Sequence, residues 1–124
     1  MTIAEVARKY ELTPDTLRYY ERIGLLPNVA RTAGGIRDYS ETDCRWVEHI
    51  KCMRSAGISV DTLVEYVTLF HQGTDTIPAR KKLLLAQREQ IVARIEELNS
   101  ALTRLDWKLD GYEERMLKSE EKLR

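Results

Sequence analysis

The sequence predicts a mainly α-helical protein with a small N-terminal head, a two-helix connector and a long C-terminal helix that needs a partner. Three observations carry this. Between Ile91 and Met116 the apolar residues Ile91, Ile95, Leu98, Leu102, Leu105, Leu109, Tyr112 and Met116 recur in steps of four and three. The mean step is about 3.5 residues, the seam of a coiled coil rather than the wider stripe of a globular helix. Upstream of it, short amphipathic segments alternate with capping residues and turn signals. The length of 124 residues accommodates one compact domain plus such a helix, but not two independent cores. One helix cannot bury its own seam, and the simplest partner is an identical copy, so a homodimer joined along these eight residues is expected.

The elements follow in order. Ile3, Val6, Ala7 and Tyr10 give a first amphipathic helix with Thr2 as N-cap. Glu11-Leu12 is a tight connection. Thr13 caps a second helix with Pro14 at its first position, where a missing N–H is no loss. Leu17, Tyr20 and Gly24 share one face of it, while Thr16, Arg18, Tyr19 and Arg22 point outward. Gly24 stops the helix and Leu25 and Leu26 follow into the core. Two short helices, the second polar and basic outside, read as a helix-turn-helix over residues 2–25, or as an ordinary helical hairpin with solvated arginines.

Pro27-Asn28 and Ala33-Gly34-Gly35 bracket a loop, and Ile36-Arg37-Asp38-Tyr39 alternates apolar and polar residues. This predicts a small hairpin with a glycine turn over residues 26–39, a wing carrying Arg31, Arg37 and Tyr39. Ser40 opens a third helix, to about residue 56, with Asp43 at the capping-box position and Trp46, Val47, Ile50 and Met53 as its buried stripe. Ser59 caps a fourth, to about residue 72, with Leu63, Tyr66, Val67 and Phe70 as its apolar face. Thr74-Asp75-Thr76 and Pro78 start the long helix. Leu83, Leu84 and Leu85 broaden its early apolar face. The expected domains are a head with connector, residues 1–73, and a dimerisation helix, residues 74–124.

Composition excludes several classes. The formal net charge is +0, so no overall field draws the chain to nucleic acid; only a local basic face could do so. No apolar run is long enough to cross a bilayer and no signal peptide is evident, so a cytoplasmic protein without a membrane partner is expected. Cys44 and Cys52 stand eight residues apart in one helix. At ~1.5 Å rise per residue that separates them by roughly 12 Å, too far for a disulfide. No nucleophile–base pair, metal set or phosphate loop is present, which argues against an enzyme and against any cofactor. His49 and His71 form no ligand pair, and no cysteine follows Cys52.

Thr16-Leu17-Arg18-Tyr19-Tyr20-Glu21-Arg22-Ile23-Gly24-Leu25-Leu26, followed by Arg31, Gly35, Arg37 and Tyr39, closely resembles the MerR family of bacterial transcription regulators. The resemblance covers the whole chain. It implies a winged helix-turn-helix, a connector and an antiparallel dimerisation coiled coil. It also implies a dimer on double-stranded promoter DNA whose over-long spacer it bends and untwists for RNA polymerase. By motif position it implies that Arg18, Tyr19 and Thr16 contact DNA from the second helix, with Tyr20 a partial contact. Arg37 and Tyr39 would clamp phosphate from the wing, and Lys51 would reach phosphate from the third helix. Ordinary readings stand beside these: Tyr20 as a core residue, Lys51 as a solvated lysine.

Metal-sensing members carry cysteines at the end of the dimer helix and drug-sensing members add a ligand domain after it; neither feature is expected here. The chain looks most like the branch that responds to reactive aldehydes, nitric oxide or other electrophiles through one cysteine, and Cys52 in Ile50-Lys51-Cys52-Met53-Arg54 stands where that branch has it. A thiolate would attack an electrophilic carbon, or be nitrosated or oxidised. His49, three residues earlier, is the neighbour best placed to assist. The competing readings are that Cys52 is a small buried hydrophobe, that Cys44 near the helix N-terminus is the reactive thiol, that the regulator has a non-thiol effector, or that the chain is a coiled-coil protein-interaction module.

Overall fold

The computed structural model describes residues 1–124 and is helical almost throughout. Helices α1 (Ile3–Lys9) and α2 (Pro14–Arg22) are followed by a loop, then α3 (Glu41–Ser55), α4 (Val60–Gln72), a 3₁₀ turn at Thr74–Thr76, α5 (Ile77–Leu109) and α6 (Tyr112–Glu121). Two compact units are present, Met1–Leu85 and Ala86–Arg124.

Local chemistry explains the starts of the helices. The side chains of Thr2, Thr13, Ser40 and Ser59 each accept a hydrogen bond from a backbone N–H in the first turn of the following helix. At α1 and α3 the box closes reciprocally, through Glu5 and Asp43. Asp is one methylene shorter than the preferred Glu, yet its Oδ2 accepts the Ser40 N–H at 2.9 Å. The Thr2 backbone N–H bonded to Glu5 holds that carboxyl below the usual carboxylate range.

The first unit is built around one core. Val6, Leu17, Leu25, Ile50, Leu63 and Val47 are its fully buried side chains. Burying each such side chain contributes roughly 1.5–3 kcal/mol. Tyr20 and Met53 join the core, and so do Tyr39 and Cys44. The unit runs past the expected boundary at residue 73, to Leu85. The first turns of α5 explain this: Leu84 packs against the core, and the Arg80 guanidinium lies over the Tyr66 and Phe70 rings at 5.8 and 5.4 Å.

The small wing hairpin is present in minimal form. A single antiparallel bridge joins Arg31 and Arg37, supported by Thr32 N–H to Ile36 O at 2.8 Å and Asp38 N–H to Ala30 O at 2.8 Å, with Gly35 at φ +81° in the turn. Arms this short leave no room for a longer ladder. One expectation is corrected: the terminal helix is not continuous from residue 74 to 124. It breaks at Asp110-Gly111, where Gly111 takes φ +65°, a left-handed conformation that suits glycine and ends helices. Tyr112 and Met116 therefore sit on α6 and not on the helix that carries the rest of the seam. Within the second unit Arg115 reaches back across this break, donating to the Lys108 carbonyl and lying over the Trp107 ring at 5.9 Å.

The rest of the stripe lies on α5 as the periodicity requires. Ile95, Leu98, Leu102, Leu105 and Leu109 are each more than half exposed. That is a long contiguous apolar surface left on one chain.

Candidate nucleic-acid interface

Helix α2 presents its outer face to solvent because Leu17 and Tyr20 turn the opposite face into the core. On that outer face Arg18 donates to Asp15 Oδ1 at 2.9 Å, an exposed i,i+3 pair. Exposed pairs of this kind are worth only about 0.2–1 kcal/mol, so the guanidinium is easily surrendered to a stronger anion. Tyr19 is 40% exposed and the Arg22 guanidinium lies over its ring at 5.3 Å. Thr16 is half-buried, its hydroxyl 2.8 Å from that of Thr13. Thr16, Arg18 and Tyr19 are thus gathered on one helical face with Arg22 beside them.

The wing is tied to this helix by Glu21. Its carboxylate accepts both Nε and Nη2 of Arg37, each at 3.5 Å, and the backbone N–H of Val29 at 3.2 Å. The two side chains are mostly buried. In the sequence Glu21 counts only as one acid against a row of bases. Its role could be found only by knowing that Arg37, sixteen residues on, folds back over it. Arg31 stays exposed and donates to the Gly35 carbonyl at 2.9 Å, bracing the glycine turn. Lys51 faces Glu11 Oε2 at 3.7 Å, which draws the late part of α3 toward the turn after α1.

Tyr39 is placed differently from the phosphate clamp expected of it. It is 2% exposed, and its hydroxyl is buried without a hydrogen-bond partner. Burial raises its pKa, with the Glu21 carboxylate pushing the same way. Alternation along residues 36–39 sends Ile36 out, 61% exposed, and Tyr39 in. Tyr20 is likewise a core side chain, at 8%. Below about pH 10 the phenol is protonated in both folded and unfolded chains. As pH rises further the unfolded chain loses its proton first, so this group's contribution to stability falls with rising pH. Tyr39→Phe is therefore expected to melt no lower than the parent near neutral pH and to lose less stability as pH rises from about 9.5 to 11. Parallel thermal melts measure this, and an identical pH dependence in the two proteins would refute it.

The cysteines part company. Cys44 is buried, with its thiol 3.8 Å from the Met1 sulfur, whereas Cys52 lies on the solvent face of α3. Neither is in a disulfide. No group of three or more His, Cys, Asp or Glu side chains is arranged to hold a metal ion. No helix is long and apolar enough to cross a membrane.

Comparison with known proteins agrees with this geometry. Residues 1–69 match the family model described as MerR HTH family regulatory protein, and residues 44–108 match the one described as MerR, DNA binding. Among curated proteins, the chain is 53% identical over 92 residues to the HTH-type transcriptional regulator AdhR of Bacillus subtilis (strain 168), a match covering 74% of this chain and 66% of that relative. A crystal structure of HiNmlR, a MerR family regulator lacking the sensor domain and bound to promoter DNA, aligns with a TM-score of 0.73 at 32% identity, covering 94% of this chain and 92% of that one. A crystallised chain from Listeria monocytogenes assigned to the same family aligns with a TM-score of 0.79 at 40% identity, covering 99% and 93%. The chain belongs to the MerR family: it is a DNA-binding transcription regulator and not an enzyme.

Proposed function

We propose that this member of the MerR family acts as a homodimer on promoter DNA, distorting an over-long spacer so that RNA polymerase engages both promoter elements, and that Cys52 is its electrophile sensor. The observation that carries the DNA reading is the exposed face of α2 beside a wing held by Glu21. Arg18 and Tyr19, with Thr16, are the side chains for base edges and nearby phosphates in the major groove, and Arg37 and Lys51 are the flanking phosphate contacts. Tyr20 and Tyr39 support these from beneath. Bending a site smoothly costs on the order of 1–6 kcal/mol, and two heads joined by the α5 seam supply the contacts that offset it. A footprint on the chain's own promoter tests this. Protection should span two half-sites and weaken steeply with salt; no footprint, or one insensitive to salt, would favour a protein-interaction module.

Two observations support Cys52: its exposure on α3, and its position matching the single-cysteine branch. With an aldehyde the Cys52 thiolate forms a C–S bond to the carbonyl carbon. The carbonyl π pair moves to oxygen, which takes up a proton, giving a hemithioacetal with no redox partner required. Helix α3 belongs to the same core as α2, through Val47, Ile50 and Met53, so an adduct on it can re-aim the head. Cys52→Ser is expected to abolish induction of promoter output by formaldehyde or methylglyoxal while operator affinity stays within about twofold. Unchanged induction would discard the thiol mechanism and leave DNA binding standing.

A further inference from the structure

The outer face of α2 carries one acid among its bases. Asp15 is the second residue of the helix, and its side chain is 95% exposed. The other acid of α2, Glu21, is mostly buried and engaged with Arg37. An exposed carboxylate on a surface that meets phosphate opposes binding. Its place in the first turn suits the helix dipole, but it also has a specific partner. Asp15 Oδ1 accepts from Nη1 of Arg18 at 2.9 Å, so an acceptor and a donor stand side by side near the front of the helix. The pair uses one N–H of Arg18 and one oxygen of Asp15, and Oδ2 and Nη2 remain open.

That arrangement matches one object on duplex DNA. In the major groove a G·C pair presents the cytosine N4 amino donor beside the guanine O6 and N7 acceptors. N4 and O6 are joined by the base-pair hydrogen bond, an N–H···O contact of about 2.9–3.0 Å. The Asp15 Oδ1 to Arg18 Nη1 separation is 2.9 Å. A carboxylate accepting from N4 and a guanidinium donating to O6 and N7 therefore stand at the spacing of the atoms they would meet. An A·T pair sets its amino donor between two single acceptors and adds the thymine methyl, so the arginine fork finds only one atom. Phosphate attracts Arg18 and repels Asp15.

We infer that Asp15 and Arg18 read a single G·C base pair of each half-site as one unit, an inference that rests on the DNA-binding role proposed for α2. Asp15 is then a specificity-determining residue. The first residues of a recognition helix are the ones that reach base edges. An exposed ion pair is weak, so its two groups respond to what surrounds them. Over a matching pair both charges are answered at once and the ion pair persists. Over any other pair Arg18 leaves for phosphate, and Asp15 is stranded against acceptors or a methyl group. Wrong sequences are thereby opposed by the stranded acid and not merely left with fewer contacts. In the homodimer the second head repeats the reading, so the preferred pair recurs with opposite strand sense in the other half-site.

The test uses the full chain and duplexes taken from the footprint on its own promoter, each base pair of the half-sites being replaced in turn by the other three. The parent is expected to lose about tenfold or more in affinity when one particular G·C pair is replaced. In Asp15→Ala that preference should shrink to about threefold or less, with preferences at other positions unchanged. Affinity for a scrambled duplex should rise, because an acid facing phosphate is gone. 2-Pyrimidinone in place of the cytosine removes the N4 amino group and leaves the guanine acceptors. It should weaken the parent about fivefold and Asp15→Ala by less than about twofold, the non-additivity of a shared contact. If Asp15→Ala fails to fold, the parent alone still decides: pyrimidinone should matter at that cytosine and not at the other cytosines of the half-site. Equal weakening of both proteins by pyrimidinone would overturn the inference. So would a lost preference that falls on an A·T pair, or Asp15→Ala binding every duplex more tightly by one common factor. A parent without a footprint would remove the DNA-binding role of α2 and this inference together, whereas a footprint with unmoved base preferences removes only the base-pair assignment.

Discussion

Leu102→Asp is expected to abolish dimer formation and operator binding together. Leu102 lies near the middle of the exposed stripe on α5, 56% exposed in the single chain. In a paired seam it would be enclosed on both helices, and a carboxylate there would have to shed its hydration with no cation beside it. The symmetric pair would bring two such groups close together. A monomer contacts one half-site only. Losing the linked second contact removes the effective-concentration advantage, on the order of 10²–10⁴ in affinity. Light scattering coupled to gel filtration and a binding titration on the operator measure both effects. The head should stay folded, because the core of Met1–Leu85 contains no residue of the stripe. A variant that remains dimeric, or a monomer with parental operator affinity, would remove the role given to the seam.

The second large effect is expected at Glu21. Glu21→Ala withdraws both acceptors from Arg37 and one from the Val29 N–H. It leaves a mostly buried guanidinium unpaired and frees the wing from α2. Unsatisfied groups of this kind cost about 1–3 kcal/mol, so the melting temperature should drop measurably. Operator affinity should fall by roughly tenfold as Arg37 loses its preset direction. A pure charge argument makes the opposite prediction, since removing an acid beside phosphate strengthens binding. The two can be told apart with Glu11→Ala, which removes the exposed partner of Lys51 and should change stability little. If both variants bind DNA more tightly with unchanged melting, Glu21 is only a charge and not the tie between helix and wing.

Much of the fold was legible because it rests on short-range chemistry. The four N-caps are three-residue relationships, and the Ser40–Asp43 box is another. Gly24 and the Thr13-Pro14 pair mark the ends of α2 through backbone conformation alone. The seam could be read because a helix repeats its facing residues every three or four positions. The break at Gly111 was legible in principle, since Asp-Gly is a turn signal, but the apolar period running across it to Met116 hid it. The period belongs to side chains, and the break belongs to one backbone angle.

The candidate site divides the same way. Residues 16–22 place Thr16, Arg18, Tyr19 and Arg22 on one outward face by helical geometry, and the motif they spell identified the family. Which tyrosines serve the core, and which residue ties the wing to α2, could not be read so. Tyr39 is buried, Arg37 is held by Glu21 and Cys44 is covered by Met1, the last two through contacts spanning sixteen or more residues of chain. Arg80 and Phe70 meet because α5 starts by packing back on α4. The sequence by itself determined the helices, their caps, the seam and the recognition face, since each depends on neighbours a few residues apart. Only the tertiary structure decided which rings are buried, which acid holds which arginine and where α5 packs back on α4, because each depends on distances between residues that the chain order does not bring together.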